Sequence, residues 1–304
     1  MVLLILKFHG ESVKIKPECA ICIIRQVVDA ANEITDDERE QFRLIKSTME
    51  VIKDVYGESA VPAWMGTVVH RYLKKISNNN DPYKNLKEKA NKIALQYLDK
   101  VREMSNTDDE LERLRKKVLA TIAGNVIDFG AYSTGINIEK LIEDTLNGEL
   151  KIDNSRKLLN DLKDKNIKKI LYICDNAGEI IFDRVLMEEI KKYDKDIVAV
   201  VKGKPILNDA TLEDAKIAKI DEIAKVITTG SDIIGIILEE CSEEFLKEFE
   251  SADLIIAKGM GNYESLTEYE DKIDKPIYYI LKAKCKPVAE NIGVDVGDNV
   301  LLKR

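Results

Sequence analysis

The chain has 304 residues, of which 45% are hydrophobic and 34% carry a charged side chain. This composition is typical of a globular protein, and the length allows either one large domain or two smaller ones. The formal net charge is −8, which argues against a basic surface over the whole molecule. We therefore expect no nucleic-acid partner, although a local basic pocket is compatible with this charge.

Targeting and membrane segments are not evident in the sequence. The longest apolar runs, such as Val2–Leu6, are far too short to cross a bilayer, and the first residues lack the basic start and cleavage site of a signal peptide. Five cysteines, an odd number, do not suggest the disulfide framework of a secreted protein. These features predict a cytoplasmic protein without a membrane partner, and they leave the oligomeric state unknown.

The first half of the chain has a helical pattern throughout. Apolar residues recur at steps of three and four, as in Phe42, Ile45, Met49 and Ile52, and prolines and asparagines punctuate these stretches. No strand pattern interrupts this half. The sequence therefore predicts an all-helical N-terminal domain over residues 1–152.

Strand-like apolar runs alternate with helical patterns in the second half. These runs are Ile170–Cys174, Ile197–Val201, Val226–Thr228, Leu254–Ile256, Ile277–Leu281 and Val300–Leu302. Strands that alternate with crossover helices predict a mostly parallel sheet with helices on both faces. We therefore expect an α/β domain over residues 153–304.

The first of these strands ends in a polar segment on which the functional argument depends. Asp175 and Asn176 follow the strand directly, and Gly178 and Glu179 lead into the next helix. Ligands of open α/β sheets bind beyond the carboxyl ends of the strands, which favours a site here. The alternative is a turn and a helix cap, which Asp and Asn also form well.

Four further strands also end in polar residues or glycines. The candidate site residues after them are Asp209, Asp232, Lys258, Gly259, Asn262 and Lys284. In a parallel sheet all five loops lie at one edge. Capping would explain any one loop, but the joint pattern favours a ligand site.

The residue types at this edge indicate a chemistry. Asp175, Asn176 and Asp209 offer oxygen ligands, which suit Mg²⁺ or Mn²⁺ better than zinc. Two carboxylates and a divalent ion sum to about zero charge, so a phosphate dianion could approach. Lys258 and a lysine after the fifth strand would hold its outer oxygens, while Gly259 lets backbone N–H groups come near. This set predicts phosphoryl transfer to water.

Two features of the helical half leave alternative interpretations open. Cys19 and Cys22 form a Cys-x-x-Cys pair, which could be half of a metal site, a redox pair or only a local structural pair. Gly124 could end a helix, or Asn125 and Asp128 nearby could line a cleft against the α/β domain.

Together these motifs resemble the damage-control phosphatases, a family long called domain of unknown function 89. The resemblance runs from about residue 17 to the C-terminus, and the Cys-x-x-Cys start is similar to the subfamily of archaea and plants. The residues that carry it are Cys19, Cys22, Arg25-Gln26, Asp81-Pro82-Tyr83, Gly124-Asn125, Asp128-Phe129-Gly130, Asp175-Asn176-Ala177-Gly178-Glu179, Asn208-Asp209-Ala210-Thr211, Lys258-Gly259 and Gly261-Asn262.

The resemblance implies a helical domain followed by a Rossmann-like three-layer domain. It also implies a metal-dependent phosphatase for phosphomonoesters of small metabolites, such as sugar phosphates, nucleotides or cofactor-related phosphates, with Co²⁺ and Ni²⁺ as further candidate ions. Matching residues give Asp175, Asn176 and Asp209 as metal ligands. Phosphate or substrate contacts would come from Lys258, Gly259 and Asn262, with Gly178, Glu179, Asn125, Asp128, Asp232 and Lys284 as further candidates. Relatives end in a phosphate-binding lysine, for which Lys282, Lys284 and Lys286 are all candidates here.

Two other functions compete with hydrolysis. An S-adenosylmethionine-dependent methyltransferase could use the same sheet edge, although no glycine-rich cofactor loop is evident. A non-catalytic protein could bind phosphorylated metabolites without turnover. Within the phosphatase hypothesis, the nucleophile could be a water on the metal or the Asp175 carboxylate itself, and the sequence leaves both open.

Overall fold

The computed structural model describes residues 12–126 and 137–304, and it confirms the predicted α/β fold class. Its helices are α1 (Cys19–Ile34), α2 (Glu38–Val55), α3 (Pro62–Ser77), α4 (Lys84–Met104), α5 (Glu110–Val126), α6 (Ile138–Leu146), α7 (Ser155–Lys163), α8 (Glu179–Lys191), α9 (Leu212–Ile217), α10 (Glu243–Ser251), α11 (Gly259–Leu266) and α12 (Lys286–Ile292). None of these helices is long and apolar enough to cross a membrane.

The strands form one sheet of seven. They are β1 (Leu150–Asp153), β2 (Lys169–Ile173), β3 (Asp196–Val201), β4 (Lys225–Thr228), β5 (Leu254–Lys258), β6 (Ile277–Lys282) and β7 (Asn299–Lys303), in the order β1-β7-β6-β5-β2-β3-β4. β2 to β6 pair in parallel, and β7 pairs antiparallel with β6. The carboxyl ends of the five predicted site strands therefore meet at one edge. β1 was not predicted.

Alternating side chains of the strands bury into two cores, one on each face of the sheet. Tyr172 in β2 packs into a core with α4 to α9, whereas Leu171 beside it packs into a core with α10, α11 and α12. This period of two is what a pleated strand covered on both faces requires. Because the central strands are buried on both faces, they read as continuous apolar runs in the sequence.

The helices before β1 divide between two cores. Residues of α1, α2 and α3, such as Val27, Leu44 and Val69, form a core of their own. In contrast, α4 and α5 share the core of the sheet, through residues such as Val101 and Leu114. The predicted domain border at residue 152 falls inside β1. Consequently, α1 to α3 form a separate cap, while α4 to α6 belong to the layer that covers the sheet.

Candidate active site

The strand order creates a crevice between β2 and β5. β3 and β4 extend the sheet on one side of β2, and β5 and β6 lie on the other. The direction in which successive strands are added to the sheet therefore reverses between β2 and β5. Ligands of open α/β sheets bind at such switch points. Asp175 follows β2, and Gly259 follows β5 with φ +78°. A Cβ atom at position 259 would lie 1.9 Å from Asp175 Oδ2, so only glycine lets the start of α11 approach the loop after β2 in this way.

The loop after β3 reaches the same point. Asn176 and Asp209 form an isolated antiparallel bridge, and the Ala210 N–H donates a hydrogen bond of 2.8 Å to the carbonyl oxygen of Asp175. Leu207 in this loop has φ 44°, a left-handed conformation that costs a non-glycine residue energy. The structure thus places the three predicted metal ligands, Asp175, Asn176 and Asp209, next to one another.

Two amide side chains connect Asp175 with Glu179. The Asn125 Nδ2 group lies 3.0 Å from Asp175 Oδ2 and 2.5 Å from Glu179 Oε2. The Asn176 Nδ2 group lies 2.8 Å from the same Asp175 oxygen and 3.3 Å from the same Glu179 oxygen. Because both NH₂ groups face carboxylates, the amide oxygen of Asn176 is the atom that could bind a metal ion.

The charges at this point fit a cation. Burial raises the pKa of Asp175 well above its usual range, and the carboxylates of Glu179 and Asp209 raise it further. Lys202 Nζ lies 3.5 Å from Asp209 Oδ2. In the described part of the chain, no group of three or more His, Cys, Asp and Glu side chains is arranged to hold a metal ion. A divalent ion would therefore depend on two carboxylates and one amide oxygen, a set that Mg²⁺ and Mn²⁺ accept.

Lys258 lies in a different place from the one that the sequence predicted. Its side chain is fully buried, and its Nζ pairs with Glu179 and, at 3.0 Å, with Asp183 Oδ1. Burial would lower the pKa of Lys258, but the two carboxylates outweigh this effect and raise it. In this arrangement Lys258 forms a buried ion pair with Glu179 and does not line the cavity, where it could contact a phosphate.

Asn262 and Asp232 also occupy structural positions. The Asn262 Nδ2 group donates to the carbonyl oxygens of Lys258, at 2.6 Å, and Cys174, at 3.1 Å, and so ties the ends of β5 and β2 together. Asp232 accepts bonds from Arg71 Nε at 2.9 Å and Lys74 Nζ at 2.6 Å, which fix α3 against the sheet edge. Asp128, another predicted contact, lies outside the described residues.

A cavity of about 890 Å³ lies between the sheet edge and the cap of α1 to α3. Of the predicted site residues, Asn125, Asp175, Asn176, Asp209 and Lys284 line it, and the remaining described ones do not. Among the three candidate lysines, Lys284 and Lys286 line the cavity. Lys284 Nζ also donates to the carbonyl oxygen of Asn125 at 3.0 Å, and its charge lowers the pKa of Asp175.

A family model described as the damage-control phosphatase ARMT1-like domain matches residues 15–300 of the sequence. The chain belongs to the damage-control phosphatase family. A damage-control phosphatase of Archaeoglobus fulgidus is 38% identical over 292 residues, which cover 94% of this chain and 98% of the relative. One from Pyrococcus horikoshii is 36% identical over 291 residues, covering 95% and 98% of the two chains.

A solved structure has the same architecture. The crystal structure of a DUF89 family protein from Pyrococcus horikoshii superposes with a TM-score of 0.85 at 34% identity, covering 95% of this chain and 99% of that one. Together with the names of the relatives, this likeness supports a phosphatase for metabolite damage control.

Two buried residues of this damage-control phosphatase were not selected from the sequence. Asn91 in α4 accepts a 2.7 Å bond from the Gly178 N–H and donates one of 2.7 Å to Asp214, and so joins the loop after β2 to α9. Gly178 has φ +78°, and a Cβ atom there would lie 2.9 Å from Ala90 Cβ. Asp183 contacts Lys258. Both Asn91 and Asp183 are polar residues within apolar helical stripes, a signal that could have identified them.

The two cysteines of the Cys-x-x-Cys pair line the same cavity, together with Cys285. Cys19 is half-buried, and Cys22 is exposed. Burial raises the pKa of Cys19, and it raises the pKa of Cys285 to about 12. The structure therefore places these thiols on the wall of the candidate site.

Proposed function

We propose that this protein is a metal-dependent phosphatase that hydrolyses phosphomonoesters of small metabolites in the cytoplasm. The observation that carries the proposal is the meeting of Asp175, Asn176 and Asp209 on the wall of a large cavity, with Lys284 on the same wall. The proposed ion is Mg²⁺ or Mn²⁺, and Co²⁺ and Ni²⁺ are further candidates. Cys19 and Cys22 favour the Cys-x-x-Cys subfamily of archaea and plants.

Different residues of the site would bind the ion and the phosphate. When bound, a divalent ion would neutralise charge on the phosphate and polarise the phosphorus–oxygen bonds. Asp175, Asn176 and Asp209 would hold it, while Asn125 keeps the Asp175 carboxylate in place through its 3.0 Å hydrogen bond. Lys284 would bind an outer oxygen of the phosphate and orient it toward the ligands.

The cavity supports a small metabolite as the substrate. At about 890 Å³ it has room for a sugar phosphate, a mononucleotide or a cofactor-related phosphate. Its walls beyond the metal ligands come from α1 and α3 as well as from the sheet edge, and they mix apolar residues such as Ile23 and Met65 with polar ones such as Gln26. The leaving group would therefore lie against the cap.

Release of inorganic phosphate from a panel of phosphomonoesters, with and without added Mn²⁺ or Mg²⁺, tests this function. We expect hydrolysis only with the ion, and we expect Asp209→Asn to abolish it. Asp232→Asn is the control, since Asp232 is also an aspartate at the sheet edge, but it is only partly buried and pairs with Arg71 and Lys74.

The competing functions predict other results. A methyltransferase would bind S-adenosylmethionine, and a non-catalytic binding protein would bind the phosphomonoester without releasing phosphate. Either result, with no hydrolysis of any panel member in the presence of the ions, would contradict the proposal.

A further inference from the structure

A chain of buried hydrogen bonds and ion pairs begins in the core of the sheet. The Tyr172 hydroxyl donates to Asp183 Oδ1 at 2.8 Å, and Lys258 Nζ lies 3.0 Å from the same oxygen. Lys258 Nζ also donates to Glu179 Oε1. Four side chains from β2, α8 and β5 are thus connected.

The same chain continues to the proposed metal ligands. Glu179 uses its other oxygen, Oε2, to accept bonds from the amides of Asn125 and Asn176. Each of these amides donates its second bond to Asp175 Oδ2. The orientation of Glu179 therefore determines where the two amides point, and the amides determine where Asp175 points.

The inner part of this chain is entirely removed from solvent. Tyr172, Asp183 and Lys258 are each 0% exposed, and Glu179 is 1% exposed. Two carboxylates share one ammonium group there, which leaves one excess negative charge in a region of low dielectric. Buried ions of this kind are weak contributors to stability, because their desolvation offsets their attraction. An arrangement that stabilises so little is better explained by what it holds in position.

Asp183 is the residue that fixes Lys258. Among the described residues, the further hydrogen-bond partner of Lys258 Nζ besides Glu179 and Asp183 is the carbonyl oxygen of Thr121, at 3.5 Å. Without Asp183, the ammonium group could follow Glu179 as that side chain moves. Asp183, which Tyr172 holds in place, binds the ammonium group as a second partner beside Glu179. Lys258 is thereby kept in one position, and Glu179 Oε1 binds to its Nζ. This leaves Glu179 Oε2 directed at the amides.

We infer that Asp183, oriented by Tyr172, is a positioning residue of the phosphatase site, which acts through Lys258 and Glu179 to orient Asp175 and Asn176 for the metal ion. The inference rests on the proposed function for its catalytic consequence. Its structural basis, the continuous contacts from Tyr172 to Asp175, is independent of the substrate.

Asp183→Asn tests the inference, since it keeps the shape of the side chain and removes its charge. We expect the affinity for Mn²⁺, measured by calorimetry, and kcat to fall about 10- to 100-fold, the usual cost of losing a partner of a metal ligand. KM for the phosphomonoester should change little. A purely structural role would lower the free energy of unfolding without weakening Mn²⁺ binding by the folded protein.

The matched control is Asp161→Asn. Asp161 Oδ2 accepts bonds from Tyr278 at 2.6 Å and Lys303 at 2.5 Å, so it forms a second Tyr–Asp–Lys group on the same sheet. This group does not line the cavity. We expect Asp161→Asn to bind Mn²⁺ and hydrolyse substrate as the unmodified protein does.

A double-variant comparison tests the route through Lys258. If Asp183 acts through Lys258, then Asp183→Asn combined with Lys258→Met should lose no more Mn²⁺ affinity than Lys258→Met alone. Additive losses would overturn the route. Unchanged Mn²⁺ affinity and kcat in Asp183→Asn would overturn the inference itself.

Three further outcomes separate the inference from the proposed function. If Asp183→Asn does not fold, Tyr172→Phe decides, because it removes only the hydroxyl that holds Asp183; a loss of Mn²⁺ affinity of about threefold or more supports the inference, and unchanged affinity overturns it. If the unmodified protein binds Mn²⁺ but hydrolyses nothing, the proposed function fails, whereas weaker binding by Asp183→Asn still supports the positioning role. If the unmodified protein binds no divalent ion, both fail.

Discussion

Asp175 and Gly259 lie in such close contact that a Cβ atom at position 259 would be 1.9 Å from Asp175 Oδ2. The two residues are 84 positions apart in the sequence, and they meet because β2 and β5 are neighbours in the sheet. The left-handed φ of +78° at Gly259 adds a second reason for glycine at this position. The first proposed metal ligand therefore depends on the absence of a side chain at the first residue of α11.

Gly259→Ala should displace the Asp175 carboxylate. A displacement of about 1 Å at a reacting centre can cost on the order of 100-fold in rate, so we expect a fall of that size in kcat/KM. Calorimetry should also show weaker Mn²⁺ binding. The control is Gly57→Ala, because a Cβ atom at position 57 meets no atom within 4 Å. Unchanged kcat/KM in Gly259→Ala would show that the site tolerates a displaced Asp175.

The sheet was largely predictable because its central strands are buried on both faces. Ile170–Cys174 and Leu254–Ile256 read as apolar runs, and both lie within one to two residues of β2 and β5. β1 was missed because it has four residues at the edge of the sheet, and only Leu150 among them is buried. Its pairing with β7, some 150 residues later, is not visible in a local pattern.

The site was predictable at the level of residue types, but not of contacts. Asp175, Asn176 and Asp209 follow strand ends, and the parallel sheet brings these ends together. Lys258 followed the same rule and was assigned to phosphate, yet the fold encloses it between Glu179 and Asp183. A lysine beside a glycine looks the same in sequence whether it faces a ligand or two buried carboxylates.

Lys284→Ala should weaken the phosphate site and leave the metal ligands in place. Lys284 lies on the cavity wall and its charge acts on Asp175. Since the lysine is exposed, we expect a loss of about 10- to 100-fold in kcat/KM, below the largest effects of single donors in enclosed sites. Steady-state kinetics of this variant would test the prediction, with Lys282→Ala as the control because Lys282 does not line the cavity. A larger loss in Lys282→Ala would reassign the phosphate lysine.

Glu264 should make the protein less stable as the pH rises. Burial raises the pKa of this cavity-lining carboxyl from 4.5 to about 8, although a backbone hydrogen bond at Ala63 opposes the shift. Between these values the folded state binds more protons than the unfolded state, so the free energy of unfolding falls with increasing pH. We expect this single group to account for a decrease of about 3–4 kcal/mol between pH 5 and pH 8.5.

Urea unfolding of Glu264→Gln at these two pH values measures that contribution. The variant cannot ionise at this position. Between pH 5 and pH 8.5, its free energy of unfolding should therefore fall by about 3–4 kcal/mol less than that of the unmodified protein. Glu250→Gln, a change at an exposed glutamate, should follow the unmodified protein. Parallel pH dependence in all three proteins would mean that Glu264 ionises normally.

Cys22 should be the thiol through which the site can be blocked. It is exposed and lines the cavity, whereas burial raises the pKa of Cys19, Cys174, Cys241 and Cys285 and leaves little reactive thiolate on them. A bulky maleimide should therefore label Cys22 first and inhibit hydrolysis in proportion to labelling. Cys22→Ser should keep its activity after the same treatment. Full activity of protein labelled at Cys22 would place the substrate elsewhere in the cavity.

The central claim is that two carboxylates and one amide at the ends of β2 and β3 hold a divalent ion on which phosphomonoester hydrolysis depends. The most direct test measures phosphate release after exhaustive chelation and again during titration with Mn²⁺ or Mg²⁺, in the unmodified protein and in Asp175→Asn. We predict no release after chelation, saturable recovery with either ion in the unmodified protein, and recovery in Asp175→Asn only at much higher ion concentration, if any. Full phosphate release after chelation, or identical titration curves for the two proteins, would contradict the account.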